Sequence, residues 1–128
     1  MTEEQLLKSG ERINQLFSTD IKIIQNREVF SYSVDSVLLS RFPRFPKNGL
    51  IVDFCAGNGA VGLFASSRTK AKILSVEIQE RLADMAERSV RLNGLEGQMQ
   101  VICDDLKNMT SHIQGSKVDL ILCNPHYF

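Results

Sequence analysis

The sequence predicts an α/β protein organised around a doubly wound parallel sheet. From residue 50 onward, short apolar runs alternate with segments of helical periodicity. The runs lack the polar alternation of a half-exposed strand, which is typical of parallel strands buried on both faces. A glycine-rich turn separates the first run from the helix that follows. With 128 residues, 43% of them hydrophobic, the chain is long enough for one such domain.

The first 48 residues predict a small extension of helix and hairpin. Its elements are a short helix opened by a capping box at Thr2–Gln5, a hairpin of residues 21–25 and 28–30, a helix over 34–42, and a loop over 43–49. The loop is predicted because Pro43 and Pro46 exclude regular structure between them. We therefore expect an N-terminal extension over residues 1–48 and a core over residues 49–128.

The core is predicted to contain four strands connected by helices. The strands cover residues 50–54, 73–76, 99–103 and 118–123, and the helices cover 60–67, 79–93 and 105–113. The second helix has the clearest pattern, with a buried stripe of Leu82, Met85, Ala86 and Val90 and with the pairs Asp84–Arg88 and Glu87–Arg91 on its solvated face. The crossovers between parallel strands should be right-handed.

The glycine-rich turn indicates a cofactor site of the Rossmann-like kind. Gly57, Gly59 and Gly62 have the G-x-G-x-x-G spacing between a strand and a helix, and Glu77 ends the next strand. The glycines let the backbone turn tightly and approach a ligand. A carboxylate in the position of Glu77 can accept both hydroxyl hydrogens of a ribose. These features fit NAD, FAD or S-adenosylmethionine.

Two aspartates narrow the choice of cofactor. Asp53, at the end of the first core strand, would repel a pyrophosphate but suits a cofactor with an ammonium group, such as S-adenosylmethionine. Alternatively, Asp53 accepts backbone N–H groups of the glycine loop and contacts no ligand. Asp105, after the third strand, can accept an adenine amino group, cap the following helix, or do both.

The residues that follow the last strand predict a site for a planar amine. They read Asn124-Pro125-His126-Tyr127-Phe128. The side-chain oxygen of Asn124 and the carbonyl of Pro125 can accept the hydrogens of an NH2 group. Tyr127 or Phe128 can then stack on the ring that carries this group.

In these motifs the chain resembles the class I S-adenosylmethionine-dependent methyltransferases with an Asn-Pro-Pro-Tyr motif, and among them the bacterial valine-tRNA adenine-N6 methyltransferases. The resemblance is carried by residues 30–39, 52–62, 76–83 and 124–128. It implies a seven-stranded sheet and methyl transfer to the N6 amine of an adenine in tRNA. It also places Asp35 over the methionine end of the cofactor.

The resemblance implies three sets of site residues. The catalytic residues would be Asn124, Pro125 and Tyr127. The substrate base would contact His126, Tyr127 and Phe128. The cofactor would be held by Asp53, Cys55, Ala56, Gly57, Asn58, Gly59, Glu77, Ile78, Asp105, Leu106 and Asn124.

The chain departs from the family pattern in two ways. His126 stands where the family has a second proline, so it should loosen the loop; a role for His126 as a general base is the alternative. The chain also stops after this motif, where the family continues with three more strands. We therefore expect a sheet that lacks its C-terminal strands, with the strand over 118–123 as an open edge that favours self-association.

Composition limits the other possibilities. Fifteen basic and fifteen acidic residues cancel, so the basic excess of many nucleic-acid binders is missing. Cys55, Cys103 and Cys123 lack the spacing of a zinc site and are expected to be buried. A signal peptide and a membrane span are not predicted, which favours a cytoplasmic protein. The alternatives are a protein glutamine N5-methyltransferase, an inactive cofactor-binding fragment, and an NAD-dependent oxidoreductase, which Asp53 and the tail disfavour.

Overall fold

The computed structural model describes residues 2–16, 19–26 and 44–123. Several predictions fall outside these ranges: the second hairpin strand over 28–30, the helix over 34–42, Asp35, and the tail from Asn124 to Phe128. They stay predictions.

The order of helices and strands confirms the α/β class. The elements are α1 (Glu3–Leu6), β1 (Glu11–Gln15), β2 (Lys22–Asn26), β3 (Leu50–Phe54), α2 (Ala60–Ser66), β4 (Lys72–Glu77), α3 (Glu80–Leu92), β5 (Met99–Cys103), a 3-10 helix (Leu106–Asn108), α4 (Met109–Ile113) and β6 (Leu120–Cys123). All four predicted core strands are present. The helix expected over 105–113 is divided into a 3-10 turn and an α-helix.

The main sheet is parallel and has the strand order β5-β4-β3-β6. The chain moves from β3 outward to β4 and β5 and then returns to the other side of β3 for β6. Such a reversal is a topological switch point, where open α/β sheets bind ligands at the carboxyl ends of their strands. Phe54 pairs with both Val76 and Cys123, so three strands end at one level.

Helices cover both faces of this sheet, as buried parallel strands require. One face, with Ile51 and Ile73, packs against Leu63 and Phe64 of α2. The other face packs against Met109 and Ile113 of α4 and against Val118, and its strand residues are Leu50, Val52, Phe54, Leu74, Val76 and Ile102. The alternation of strand residues between two apolar layers fixes which side chains share a face.

The N-terminal hairpin has a partner strand that the sequence analysis missed. Strand β2 pairs antiparallel with β1, with Ile13 opposite Ile24. Strand β1 carries only one apolar residue, Ile13, so its sequence gives little strand signal. The hairpin is not a separate layer, because Leu16 and Ile23 lie in the same apolar cluster as Ile51.

Helix α3 covers Glu80–Leu92, with Gln79 and Asn93 as its caps, close to its predicted limits. Its predicted apolar stripe is buried. The Glu87–Arg91 pair lies on the solvated face as expected. The Asp84–Arg88 pair is present at 2.9 Å, but Arg88 is buried. The prediction of a solvated Arg88 was wrong because the hairpin covers it, and Arg88 pairs with Glu11 there.

Candidate cofactor-binding cleft

A cleft of about 210 Å³ lies at the carboxyl ends of β3, β4 and β5. It is lined by Cys55, Val76, Glu77, Ile78, Gln79, Asp104, Asp105 and Leu106. Parallel strands bring their carboxyl ends to the same edge, so residues far apart in sequence meet there. Five of these residues, Cys55, Glu77, Ile78, Asp105 and Leu106, were predicted to hold the cofactor.

The glycine loop joins β3 to α2 beside the cleft. Gly57 and Gly59 have φ angles of 60° and 91°, in the left-handed region that glycine adopts at little cost. A Cβ atom on Gly62 would lie 2.8 Å from both Met99 Cε and Ser75 Oγ. The first two glycines therefore shape the turn, and the third lets α2 pack closely on the sheet.

Glu77 connects the glycine loop to the end of β4. Its side chain is only 3% exposed. Oε1 accepts the Gly57 N–H at 2.8 Å and Oε2 accepts the Gln79 N–H at 2.9 Å. Glu77 is thus no ordinary solvated carboxylate. Each carboxylate oxygen has a second lone pair, so both oxygens can still accept a hydrogen from a ligand in the cleft.

Asp53 lies deeper, within β3, and is 1% exposed. In the part of the chain that the structure describes, its Oδ2 atom has no hydrogen-bond partner. Burial, with a smaller contribution from the charge of Glu77, raises the pKa of Asp53 to about 8. The Gly57 N–H goes to Glu77, so the alternative in which Asp53 serves the glycine loop does not hold at that amide.

Ala56 and Asn58, also predicted to hold the cofactor, do not line the cleft. The Ala56 N–H donates to the Val76 carbonyl at 2.9 Å. Asn58 is buried, and its Nδ2 donates to the Ile24 carbonyl at 3.2 Å. These bonds tie the glycine loop to β4 and to the hairpin. The roles of Asp53, Ala56, Gly57, Asn58 and Gly59 toward the cofactor stay predictions.

The tandem aspartates after β5 form the opposite wall of the cleft. Asp105 caps the 3-10 helix by accepting the Lys107 N–H at 3.1 Å. Asp104 accepts from Asn108 Nδ2 at 2.7 Å and contacts His112 Nε2 at 2.8 Å. The His112 hydrogen bond is the largest cause that lowers the pKa of Asp104 to about 2. Sequence reasoning selected Asp105 and missed Asp104, because neighbouring acids give no signal of which one faces a ligand.

Two large apolar side chains are exposed inside the cleft. Ile78 is 61% exposed and Leu106 is 44% exposed. Ile78 follows Glu77 at the end of β4, and Leu106 follows the two aspartates after β5. Apolar walls combined with a few placed polar groups are typical of small-molecule sites. The arrangement fits a flat ring whose edge offers hydrogen-bond donors.

The cysteines correct a prediction. Cys103 and Cys123 are exposed and Cys55 is only half-buried, because all three lie at strand ends beyond the cover of the helices. Cys55 also has a φ angle of 60°. Such a conformation is unusual for a residue other than glycine and is found mostly at functional sites. Val76, Gln79 and Asp104 are further lining residues that the sequence analysis did not select.

The fold is Rossmann-like, and the cleft lies at the sheet edge where such folds bind nucleoside cofactors. The chain matches the family described as methyltransferase small domain over residues 20–127. It therefore belongs to this methyltransferase family, and the predicted relationship to S-adenosylmethionine-dependent methyltransferases is confirmed at that level.

Curated relatives agree with this assignment. The chain is 30% identical over 96 residues to a tRNA1(Val) (adenine(37)-N6)-methyltransferase of Shewanella halifaxensis, a match that covers 75% of the chain and 39% of the relative. It is 28% identical over 94 residues to the enzyme of that name from Bacteroides fragilis strain YCH46, covering 73% of the chain and 40% of the relative. The matched segment thus spans about two fifths of each relative.

Solved structures confirm the fold. A SAM-dependent methyltransferase from Agrobacterium tumefaciens superposes with a TM-score of 0.66 at 18% identity, covering 93% of this chain and 41% of that one. Pyrococcus horikoshii TYW2, in complex with MeSAdo, gives 0.65 at 19% identity and covers 79% of this chain and 38% of that one. Within the described ranges, no helix has the length and apolar character to cross a membrane. The same ranges hold no cluster of three metal-ligating side chains.

Proposed function

We propose that this chain supplies the S-adenosylmethionine site of an enzyme that methylates the N6 amine of an adenine in tRNA. The observation that carries the proposal is the cleft, which combines exposed apolar walls with carboxylates at the carboxyl edge of the sheet. The cleft lies at the carboxyl ends of β3, β4 and β5, the edge at which open α/β sheets bind ligands.

The lining residues fit the adenosine part of this cofactor. Ile78 and Leu106 would hold the two faces of the adenine ring. Glu77, anchored by the Gly57 and Gln79 amides, would accept the ribose hydroxyl hydrogens. Asp105 would accept the adenine amino group. The cofactor would supply a methyl group already activated by a sulfonium, so the protein would contribute position and electrostatics.

The target amine would be held by the residues that follow β6. The sequence continues directly from Cys123 into Asn124 and Pro125, and β6 ends beside Phe54 of β3. In the proposal, Asn124 and the Pro125 carbonyl accept the hydrogens of the amine, and Tyr127 stacks on the base. An adenine that is unpaired or flipped out of its stack can reach such a loop. The names of the curated relatives support tRNA as the substrate.

Calorimetry tests the cofactor. The 128-residue chain should bind S-adenosylmethionine and its product S-adenosylhomocysteine, and should not bind NAD. The reason is that buried carboxyl groups near the glycine loop favour a cation and oppose a pyrophosphate. Binding of NAD alone would overturn the assignment.

Methyl transfer tests the substrate. The chain, labelled cofactor and unmodified tRNA1(Val) should give N6-methyladenosine at position 37, detected by nucleoside mass spectrometry. Asn124→Ala should abolish the transfer while S-adenosylmethionine still binds, since Asn124 is proposed to hold the target. Label in a protein glutamine, and none in tRNA, would replace the tRNA assignment with the glutamine one. Cofactor binding without label in either would leave only a binding module.

A further inference from the structure

Two buried carboxyl groups share one face of the sheet beneath the glycine loop. Asp53 of β3 pairs in register with Ser75 of β4. Glu77 follows Ser75 by two residues, so its side chain points to the same face as those of Asp53 and Ser75. Asp53 and Glu77 are 1% and 3% exposed. Both carboxyl groups are therefore removed from water in the same layer.

The donors around these two groups are unevenly divided. Glu77 receives two backbone N–H groups, from Gly57 and Gln79. Asp53 Oδ2 receives no donor from the described residues, and neither does Ser75 Oγ beside it. Burial without hydrogen-bond donors disfavours the charged form of a carboxyl group. Asp53 is therefore the carboxyl group of this face that holds a proton in the free protein.

Among the described residues, two elements that flank Asp53 bring no positive charge. Helix α2, over Ala60–Ser66, contains no ionisable residue. The β6 residue paired with Asp53 is Leu122. After β3, the nearest ionisable group is the Cys55 thiol, whose own pKa is raised by burial and, to smaller extents, by Cys123, Glu77 and Asp53. The raised pKa of Asp53, about 8, agrees with this geometry.

We propose that Asp53 is a proton-coupled specificity residue, which gives up its proton to solvent when a cationic cofactor binds at the glycine loop and thereby selects for cationic ligands. This inference rests on the proposed function. The O–H bond of Asp53 breaks and the proton passes to buffer, with no other covalent change. A cation a few ångströms away stabilises the carboxylate through the low-dielectric interior, even without direct contact.

The coupling makes cofactor affinity depend on pH in one direction. The free protein holds the Asp53 proton and the complex does not, so a rise in pH favours binding. Between pH 6.0 and 7.5 the Kd for S-adenosylmethionine should fall on the order of tenfold. At pH 7 about one proton, or slightly less, should be released for each cofactor bound. The pH range of this measurement stops below pH 8 because the α-amino group of the cofactor itself titrates at about 7.7–8.0.

Calorimetry in two buffers of different ionisation enthalpy, at pH 6.5 and 7.0, measures the released proton directly. The wild-type chain should release it with S-adenosylmethionine but not with 5′-methylthioadenosine, which lacks the charged amino-acid end and the sulfonium. Asp53→Asn, which cannot titrate, should bind the cofactor with no proton release and a Kd that is nearly constant with pH. The wild-type result stands by itself if this variant does not fold.

The outcomes separate this inference from the proposed function. Binding of S-adenosylmethionine with no buffer dependence and a flat Kd would overturn the role of Asp53 and leave the cofactor assignment intact. Equal proton release with 5′-methylthioadenosine would also overturn it, since charge would not be the cause. No binding at any pH would overturn the proposed function itself.

Discussion

Polar groups are hydrogen-bonded differently in two regions of the molecule. One region is the interface between the hairpin and α3, and the other is the cofactor-binding cleft with the glycine loop beside it. At the hairpin interface, buried and half-buried polar side chains have partners within the protein: Arg88 with Glu11, Ser89 Oγ with the Ile24 N–H, and Asn93 with both backbone groups of Lys22. Beneath the glycine loop that borders the cleft, Asp53 Oδ2 and Ser75 Oγ have none among the described residues. Ile78 and Leu106 are exposed there. The first region is complete by itself, whereas the second has the features of a surface built for a ligand.

The difference has an energetic basis. A buried donor or acceptor without a partner costs about 1–3 kcal/mol, and an unusual backbone conformation such as that of Cys55 costs about as much. Such destabilising features cluster at sites where function requires them. The paired interface supplies stability that can offset them, and the Asn58–Ile24 bond joins it to the glycine loop.

The largest expected effect is the loss of the buried ion pair. Arg88→Met leaves the Glu11 carboxylate, whose side chain is 2% exposed, without its cation. The free energy of unfolding in urea should fall by about 3–5 kcal/mol. The matched control is Arg91→Met, which removes the exposed pair with Glu87 at 3.6 Å and should change stability by less than about 0.5 kcal/mol. Equal effects would contradict the contrast between paired and solvated charges on α3.

The contact between α2 and the sheet gives the next largest effect. Gly62→Val places a branched side chain where even a Cβ would lie 2.8 Å from Met99 Cε and Ser75 Oγ. Overpacking should cost about 1–3 kcal/mol in the same assay. Gly97→Val is the control, since a Cβ there has no neighbour within 4 Å. A neutral Gly62→Val would mean that α2 can move away from the sheet freely.

Two fully buried serines sharpen the comparison further. Ser89→Ala leaves the buried Ile24 N–H without its acceptor and should cost about 1–2 kcal/mol. Ser75→Ala removes a hydroxyl that has no partner among the described residues and should be neutral or slightly stabilising. Thermal unfolding of the two variants measures the difference. A reversed order would refute the distinction between the two regions.

Substitutions in the cleft walls should have the smallest effect on stability. Ile78→Ala and Leu106→Ala remove exposed side chains, so each should cost less than about 1 kcal/mol. Each should nevertheless weaken S-adenosylmethionine binding several-fold, since about 1 kcal/mol of lost apolar contact changes Kd by that much. Ile121→Ala is the control, because Ile121 is 57% exposed and does not line the cleft. Unchanged affinity in the first two variants would show that the ring binds elsewhere.

Much of the core could be predicted from sequence because its signals are local. The apolar runs of β3 and β5 and the periodicity of α3 each lie within one element. The glycine motif, from Gly57 to Gly62, is likewise a short continuous segment. The four strand positions follow from these patterns. Glu77 and Ile78 could be assigned to the site because strand ends meet at one edge of a parallel sheet.

The remaining features depend on contacts between distant segments. Strand β1 has one apolar residue and is defined by its pairing with β2. The helical periodicity predicts a solvated Arg88, and only the contact with the hairpin makes this residue buried. Asp104 and Asp105 both line the cleft and differ in their partners, since Asp104 contacts His112 and Asp105 caps the 3-10 helix. The buried-cysteine prediction failed because the three cysteines lie at strand ends, beyond the helices that cover the sheet.

Backbone amide shifts measured by NMR during a titration with S-adenosylmethionine test the central claim most directly. If the cleft is the ligand site and the hairpin interface is complete by itself, the amides of Gly57, Gln79 and Leu106 should shift with saturation. The amide of Lys22, which donates to Asn93 Oδ1, should stay in place. Shifts centred on the hairpin, or none at saturating cofactor, would contradict the account.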